Sequence, residues 1–179
     1  IFFIFFSQYI LNQFKKIIVP SKEIANNLYK LKISQDYIRI CTDSRFDQVI
    51  QRSRDSKKDL LPSIFENSQN IMLGSTVDSD IPILSQALDA LNQNFFDDDV
   101  HLIIVPHEIG DSNLLPLEKL LSQKGLSHQR FSEFDEVNPP QVLIVNKVGI
   151  LADLYAYAKI AYIGAGFSTG VHSIIEPAV

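Results

Sequence analysis

From about residue 60 onward, short apolar runs alternate with longer amphipathic stretches, and this alternation restricts the fold more than any other property of the chain. The runs are Asn70-Ile71-Met72-Leu73-Gly74, Val100-His101-Leu102-Ile103-Ile104-Val105, His128-Gln129-Arg130-Phe131, Gln141-Val142-Leu143-Ile144-Val145 and Ile160-Ala161-Tyr162-Ile163. Helical patterns over 79–92, 114–124 and 150–157 lie between them. In the second of these, Leu117, Leu120 and Leu121 share a face and Gly125 supplies a C-terminal stop. Strands of roughly five residues alternating with helices imply an α/β fold with a Rossmann-like, mostly parallel sheet. Near-continuous apolar strands imply burial on both faces, and 160–163 reads as one such buried strand. Ligands of these sheets bind outside the carboxyl ends of the strands. Gly74-Ser75-Thr76, His107-Glu108, Asn146-Lys147 and a glycine-bearing loop at 164–170 fall there.

That loop is the most informative local feature: Ile163-Gly164-Ala165-Gly166-Phe167-Ser168-Thr169-Gly170-Val171-His172-Ser173-Ile174-Ile175-Glu176-Pro177. Glycines at a strand-to-helix junction let backbone approach a ligand and present N–H groups to an anion. A carboxylate one turn into a following helix, Glu176, is placed to hold a ribose or sugar hydroxyl, and His172 would share its helical face. A first-turn acid answering the helix dipole is the plainer reading of Glu176. Gly74 suits a tight turn, while Ser75 suits a helix cap and Ser75 and Thr76 suit an anion. His107 suits a donor phosphate or carboxylate, or is simply a surface histidine at a strand end.

Upstream, Ile17-Ile18-Val19 forms a short strand, Ser21 caps a helix carrying Ile24, Leu28 and Leu31, and Tyr37-Ile38-Arg39-Ile40 forms another strand. Residues 48–58 are polar and read as a solvated helix or linker. The opening run Ile1-Phe2-Phe3-Ile4-Phe5-Phe6 is too short for a bilayer, which needs about 20 residues. It continues as an amphipathic helix that reads either as packing on a preceding part of the protein or as lying on a membrane surface. A start at Ile1 and an end at Val179 lead us to expect a fragment of a longer protein. The expected organisation is residues 1–35 as the tail of a preceding domain, 36–59 as a connection, and 60–179 as an incomplete ligand-binding domain. A net charge of −5 argues against a general nucleic-acid binder. The single cysteine excludes an intrachain disulfide framework, and no His/Cys cluster has zinc-ligand spacing.

In order and spacing, these elements resemble the carboxyl-terminal half of the transferases of 3-deoxy-D-manno-octulosonic acid (Kdo). The resemblance runs through nearly the whole chain. It includes the Phe-rich start with Ile17-Ile18-Val19-Pro20-Ser21, Asp43-Ser44-Arg45-Phe46-Asp47, and the strand ends at Gly74-Ser75-Thr76 and Pro106-His107-Glu108. It also includes Gly149-Ile150-Leu151-Ala152-Asp153-Leu154-Tyr155 and the glycine loop with His172 and Glu176-Pro177. Three departures stand out. Ser173 stands where the family usually has Asn, Ala165 where a second Gly is common, and Cys41-Thr42 where a small or glycine lead is usual.

The resemblance implies a two-domain GT-B-type glycosyltransferase, with 60–179 as its nucleotide-sugar donor domain and 1–35 as the end of its acceptor domain. It implies inverting transfer of Kdo from CMP-Kdo to a lipid A precursor, in lipopolysaccharide synthesis, on the cytoplasmic face of the bacterial inner membrane by peripheral contact. No cofactor or metal is implied. Donor binding is expected at Gly74, Ser75, Thr76, His107, Gly164, Gly166, Gly170, His172, Ser173 and Glu176. The general base is expected in the acceptor domain, and Arg45 is expected to be structural. Two rivals remain at this point: another nucleotide-sugar transferase or epimerase of the same fold, and a non-catalytic α/β interaction module.

Overall fold

The computed structural model describes residues 2–41, 43–55, 59–90, 99–168, 170, 171 and 173–178. They form two compact units, Ile1–Gln51 and Arg52–Val179.

The first unit contains helix α1 (Phe2–Leu11), strand β1 (Ile17–Val19), helix α2 (Lys22–Lys30) and strand β2 (Ile38–Ile40). Strands β1 and β2 pair in parallel, with Ile17 opposite Ile38 and Val19 opposite Ile40. Ser21 caps α2 as its sequence predicts, its Oγ accepting the Ile24 N–H at 3.3 Å. Val19, Ala25 and Ile33 are buried here, while Ile4, Phe5, Phe6, Tyr9 and Phe14 are exposed. Helix α3 (Ser44–Arg54) follows and runs across the boundary between the units.

The second unit is a five-stranded parallel sheet, confirming the α/β class. Its strands are β3 (Gln69–Thr76), β4 (Val100–Pro106), β5 (His128–Arg130), β6 (Val142–Ile144) and β7 (Ala158–Ile163). They lie in the order β5-β6-β4-β3-β7. Helices α4 (Ile81–Ala90), α5 (Asp111–Gln123) and α6 (Leu151–Leu154) connect them.

Alternate residues of each strand feed two cores, because successive side chains leave a strand on opposite faces. Leu73, Leu102 and Ile104 pack with Leu84, Leu88, Leu114, Leu117 and Leu121 of α4 and α5. Met72, Ile103, Val105 and Leu143 pack on the other face with Phe65 and Leu154. Asn70, fully buried, donates from Nδ2 to the Phe65 carbonyl at 2.6 Å and the Tyr157 carbonyl at 3.0 Å, closing the amino end of that face. On the rim, Arg130 of β5 forks onto Glu118 and Asp111 of α5 at 2.6 and 2.8 Å. Gly125 follows α5 at φ 71°, the left-handed stop its sequence predicts.

Two expectations are corrected. Strand β7 is buried on neither face along its length. It is an edge strand paired only with β3 among the described residues, and Ile160 is 62% exposed. A run of apolar residues cannot distinguish an edge position from a central one. The helix expected after the glycine loop is a single 3₁₀ turn, Glu176–Ala178, and the described residues between Gly170 and Ile175 are not helical. The helical face expected to be shared by His172 and Glu176 falls on His172, which lies outside the described residues.

Candidate functional site

The carboxyl ends of β3, β4 and β7 meet at one edge of the sheet, and the local geometry there follows from close packing at two glycines, Gly74 and Gly164. Gly74 sits within β3, opposite Val105 and Ile163, rather than in a turn. A Cβ at 74 would overlap the Tyr155 phenol oxygen and lie 3.1 Å from Leu151 Cδ1. Glycine is needed here for packing, not for a special φ. The turn conformation falls one residue later, where Ser75 takes φ 54° and the β3–β4 register shifts between Gly74 and Thr76. A non-glycine residue in this left-handed region is uncommon. Ser75 is consequently not the helix cap. The 3₁₀ turn Asp78–Asp80 begins after Val77, and Asp80 Oδ2 accepts the Val77 N–H at 2.9 Å.

Asp80 is the residue that sequence reasoning missed. It is 3% exposed and accepts three hydrogen bonds. Besides Val77, the Ala165 N–H reaches Oδ2 at 3.0 Å, and the Tyr162 hydroxyl reaches Oδ1 at 2.8 Å. Burial, then the bond to Asp80, pushes the Tyr162 phenol up to about 12. Gly164 passes so close that a Cβ there would stand 2.7 Å from both Asp80 Oδ2 and Thr76 Cα and overlap the Ser75 carbonyl. The local signal was present but weak: an acid three residues after Val77 has the spacing of a capping carboxylate.

The loop 164–170 is held partly by its neighbours and partly from within. The Gly164 N–H extends the ladder to the Gly74 carbonyl at 2.8 Å, and the Ser168 and Gly170 N–H groups both bond the Ala165 carbonyl, at 3.1 and 3.0 Å. Ala165, where the family often has glycine, takes φ 64° and is fully buried; Gly170 takes φ 97°. Ser79 and Ser168 join their hydroxyls at 3.0 Å across the gap between the loops.

Thr76, His107, Glu108 and Ser168 line one cavity of about 490 Å³, which continues inward between the sheet and α4 over Leu73, Leu84 and Leu102. The His107 N–H donates to the Thr76 carbonyl at 2.8 Å, so these two candidates are fixed to each other. Gly74, Ser75 and Gly164 abut the same edge, and Gly166 and Gly170 belong to its loop. Ser173 and Glu176 do not line this cavity. Glu176 lies instead within electrostatic reach of Tyr155 and Arg52. Burial first, and the Glu176 charge second, push the Tyr155 phenol up to about 12. Arg52 forks onto Asp153 and the Gly149 carbonyl, each at 3.0 Å. Among the described residues, no group of three His, Cys, Asp or Glu side chains is placed to hold a metal ion. In the first unit, Arg45 closes onto Asp43 at 2.6 Å, a local lock that holds the Asp43 carboxyl below its usual range.

The fold and this edge define a class: a parallel α/β protein whose glycine-bearing loops gather at the carboxyl ends of neighbouring strands. Comparison with known proteins narrows it. No protein-family profile matches the chain. A 3-deoxy-D-manno-octulosonic acid transferase of Chlamydia muridarum is 30% identical over 109 residues, covering 60% of this chain and 24% of that protein. One of Rickettsia felis is 26% identical over 174 residues, covering 97% of this chain and 36% of that protein. A solved structure, the C-terminal CMP-Kdo binding domain of WaaA from Acinetobacter baumannii, aligns with TM-score 0.47 and 20% identity over 74% of this chain and 64% of that one. The chain is similar in sequence to these Kdo transferases, and spans about a quarter to a third of the length of these two curated relatives.

Proposed function

We propose that residues 60–179 bind the nucleotide-sugar donor of a GT-B-type enzyme that transfers Kdo from CMP-Kdo to a lipid A precursor in lipopolysaccharide synthesis. In this reading residues 1–35 end the acceptor domain and 36–59 connect the two. The observation that carries the reading is the convergence of Thr76, His107 and the loop 164–170 at the carboxyl ends of adjacent parallel strands, in a chain related to Kdo transferases.

In the transfer, the acceptor hydroxyl oxygen bonds to the anomeric carbon of Kdo. The bond from that carbon to the phosphate oxygen breaks, and CMP leaves with the electron pair. The hydroxyl proton passes to a general base contributed by the acceptor domain. The donor side must stabilise negative charge growing on the phosphate. The Gly166 and Phe167 N–H groups, which make no hydrogen bond among the described residues, are directed to that task in our reading, with Ser75, Thr76 and His107 beside them. His172, Ser173 and Gly170 are assigned to the same donor contact, and Gly74 admits Tyr155 behind the strand end. Glu176, on the Tyr155 side, takes a ribose hydroxyl of the cytidine. No helix among the described residues is long and apolar enough to cross a membrane. In our reading, which here rests on the resemblance to Kdo transferases, the lipid acceptor is met by peripheral contact at the cytoplasmic face of the inner membrane.

Calorimetric titration with CMP and CMP-Kdo tests the reading. Both are expected to bind, and Glu176→Ala is expected to weaken CMP roughly tenfold, the loss of one hydrogen bond to a charged group. Binding of UDP without CMP would transfer the chain to another nucleotide-sugar class. Binding of neither by folded protein would refute the donor assignment.

A further inference from the structure

We infer that Asp80 is a positioning residue that clamps the β3 loop to the β7 loop and so sets the shape of the nucleotide site. The inference rests on the donor reading above for its functional consequence, but its structural part stands on geometry alone.

The carboxyl group is placed between two segments far apart in the chain. Its Oδ2 is shared by the Val77 N–H on one loop and the Ala165 N–H on the other, at 2.9 and 3.0 Å. Its Oδ1 takes the hydroxyl of Tyr162, in the strand that feeds the glycine loop, at 2.8 Å. All three partners are donors, and an ionised aspartate is a pure acceptor, so composition and geometry agree. The group is buried, where an unmet partner is most costly. Two further features adjoin the clamp. Ala165 holds a left-handed φ of 64°, and its N–H is tied down by Asp80. Gly164 brings the two loops together, since a Cβ there would overlap the Ser75 carbonyl and approach Asp80 Oδ2 within 2.7 Å. The exposed Ser79–Ser168 hydroxyl pair adds a second, weaker latch between the same two loops. Asp80 also borders the cavity that Thr76, His107 and Ser168 line, so a shift of the clamp moves the walls of the site.

Asp80→Asn is the informative substitution. It keeps shape and volume but replaces one acceptor oxygen by an NH₂. That NH₂ either faces the Val77 and Ala165 N–H groups or requires the Tyr162 hydroxyl to turn and accept, and either arrangement leaves those two N–H groups without a carboxylate partner. Hydrogen exchange followed segment by segment is expected to show amides 164–168 exchanging at least roughly tenfold faster, while β4 keeps its protection. CMP affinity is expected to fall roughly tenfold or more in the same variant. Leu143→Ala serves as the control: it lowers stability from the sheet face that does not carry the clamp, and is expected to leave both loop exchange and CMP affinity of the folded protein unchanged. Tyr162→Phe removes one of the three bonds and is expected to give a smaller rise in loop exchange, which keeps the test decisive if Asp80→Asn does not fold. Unchanged loop exchange in a folded Asp80→Asn or Tyr162→Phe protein overturns the clamp. Faster loop exchange with unchanged CMP affinity overturns its role in positioning. If the parent protein binds no CMP, the donor reading fails on its own, and the exchange data still decide the clamp.

Discussion

The two compact units follow the same construction rule, parallel strands joined by a helix, but with very different amounts of core. In Ile1–Gln51 a two-stranded sheet and α2 bury Val19, Ala25 and Ile33, while Phe5 and Tyr9 remain 65% and 69% exposed. In Arg52–Val179 five strands fill two faces, and Met72, Ile103, Ile104, Leu143 and Ile144 are completely buried. A two-stranded sheet offers too little surface to close a core, and independent stability needs further strands or helix packing. The smaller unit leans instead on local devices: the Ser21 cap, the Ser34 hydroxyl accepting the Asp36 N–H, and the Arg45–Asp43 lock. Both units hold non-glycine residues in left-handed backbone, Lys32 in the smaller one and Ser75 and Ala165 at the sheet edge of the larger.

This contrast can be broken or sharpened by substitution. The largest effect is expected from Leu143→Ala, which removes a fully buried side chain of β6. Denaturant unfolding of the larger unit should show a loss of about 2–5 kcal/mol. A loss under about 1 kcal/mol would mean that this core is loosely packed. Next comes Gly164→Ala, where the added methyl meets backbone at Ser75 and Thr76 that cannot retreat like a side-chain tip. It should cost about 1–3 kcal/mol and abolish measurable CMP binding. Full retention of both would show that the loops adjust freely. The smallest is Ser21→Ala in the smaller unit, expected to remove about 1 kcal/mol and to be read as faster amide exchange across α2. Exchange there unaffected by the change would show that the helix is held by something other than its cap.

Central strands were legible because β3, β4 and β6 carry Ile, Leu, Val and Met runs of the kind that double-sided burial favours. Ser21 and Gly125 were legible because capping acts over one turn and needs only a few residues of context. The motif positions at 74–76, 107 and 164–170 were legible as a set, because parallel topology sends every strand's carboxyl end to one edge. What escaped was whatever depends on a distant partner. The reason for Gly74 is Tyr155, and the partner of Asp80 at Ala165 lies 85 residues along the chain. The outer position of β7 depends on which strands flank it, which its own six residues do not encode. The run after Gly170 was read as a helix start from its acid and proline, yet it yields only a 3₁₀ turn.

The contact between Gly164 and Asp80 also bears on how such a sequence can drift. Shortening the group at 80 would not by itself make room for a side chain at 164, because the Ser75 carbonyl and Thr76 Cα would still stand against it. Position 164 is therefore the more tightly held of the two, and among descendants of this chain it is expected to stay glycine even where position 80 changes.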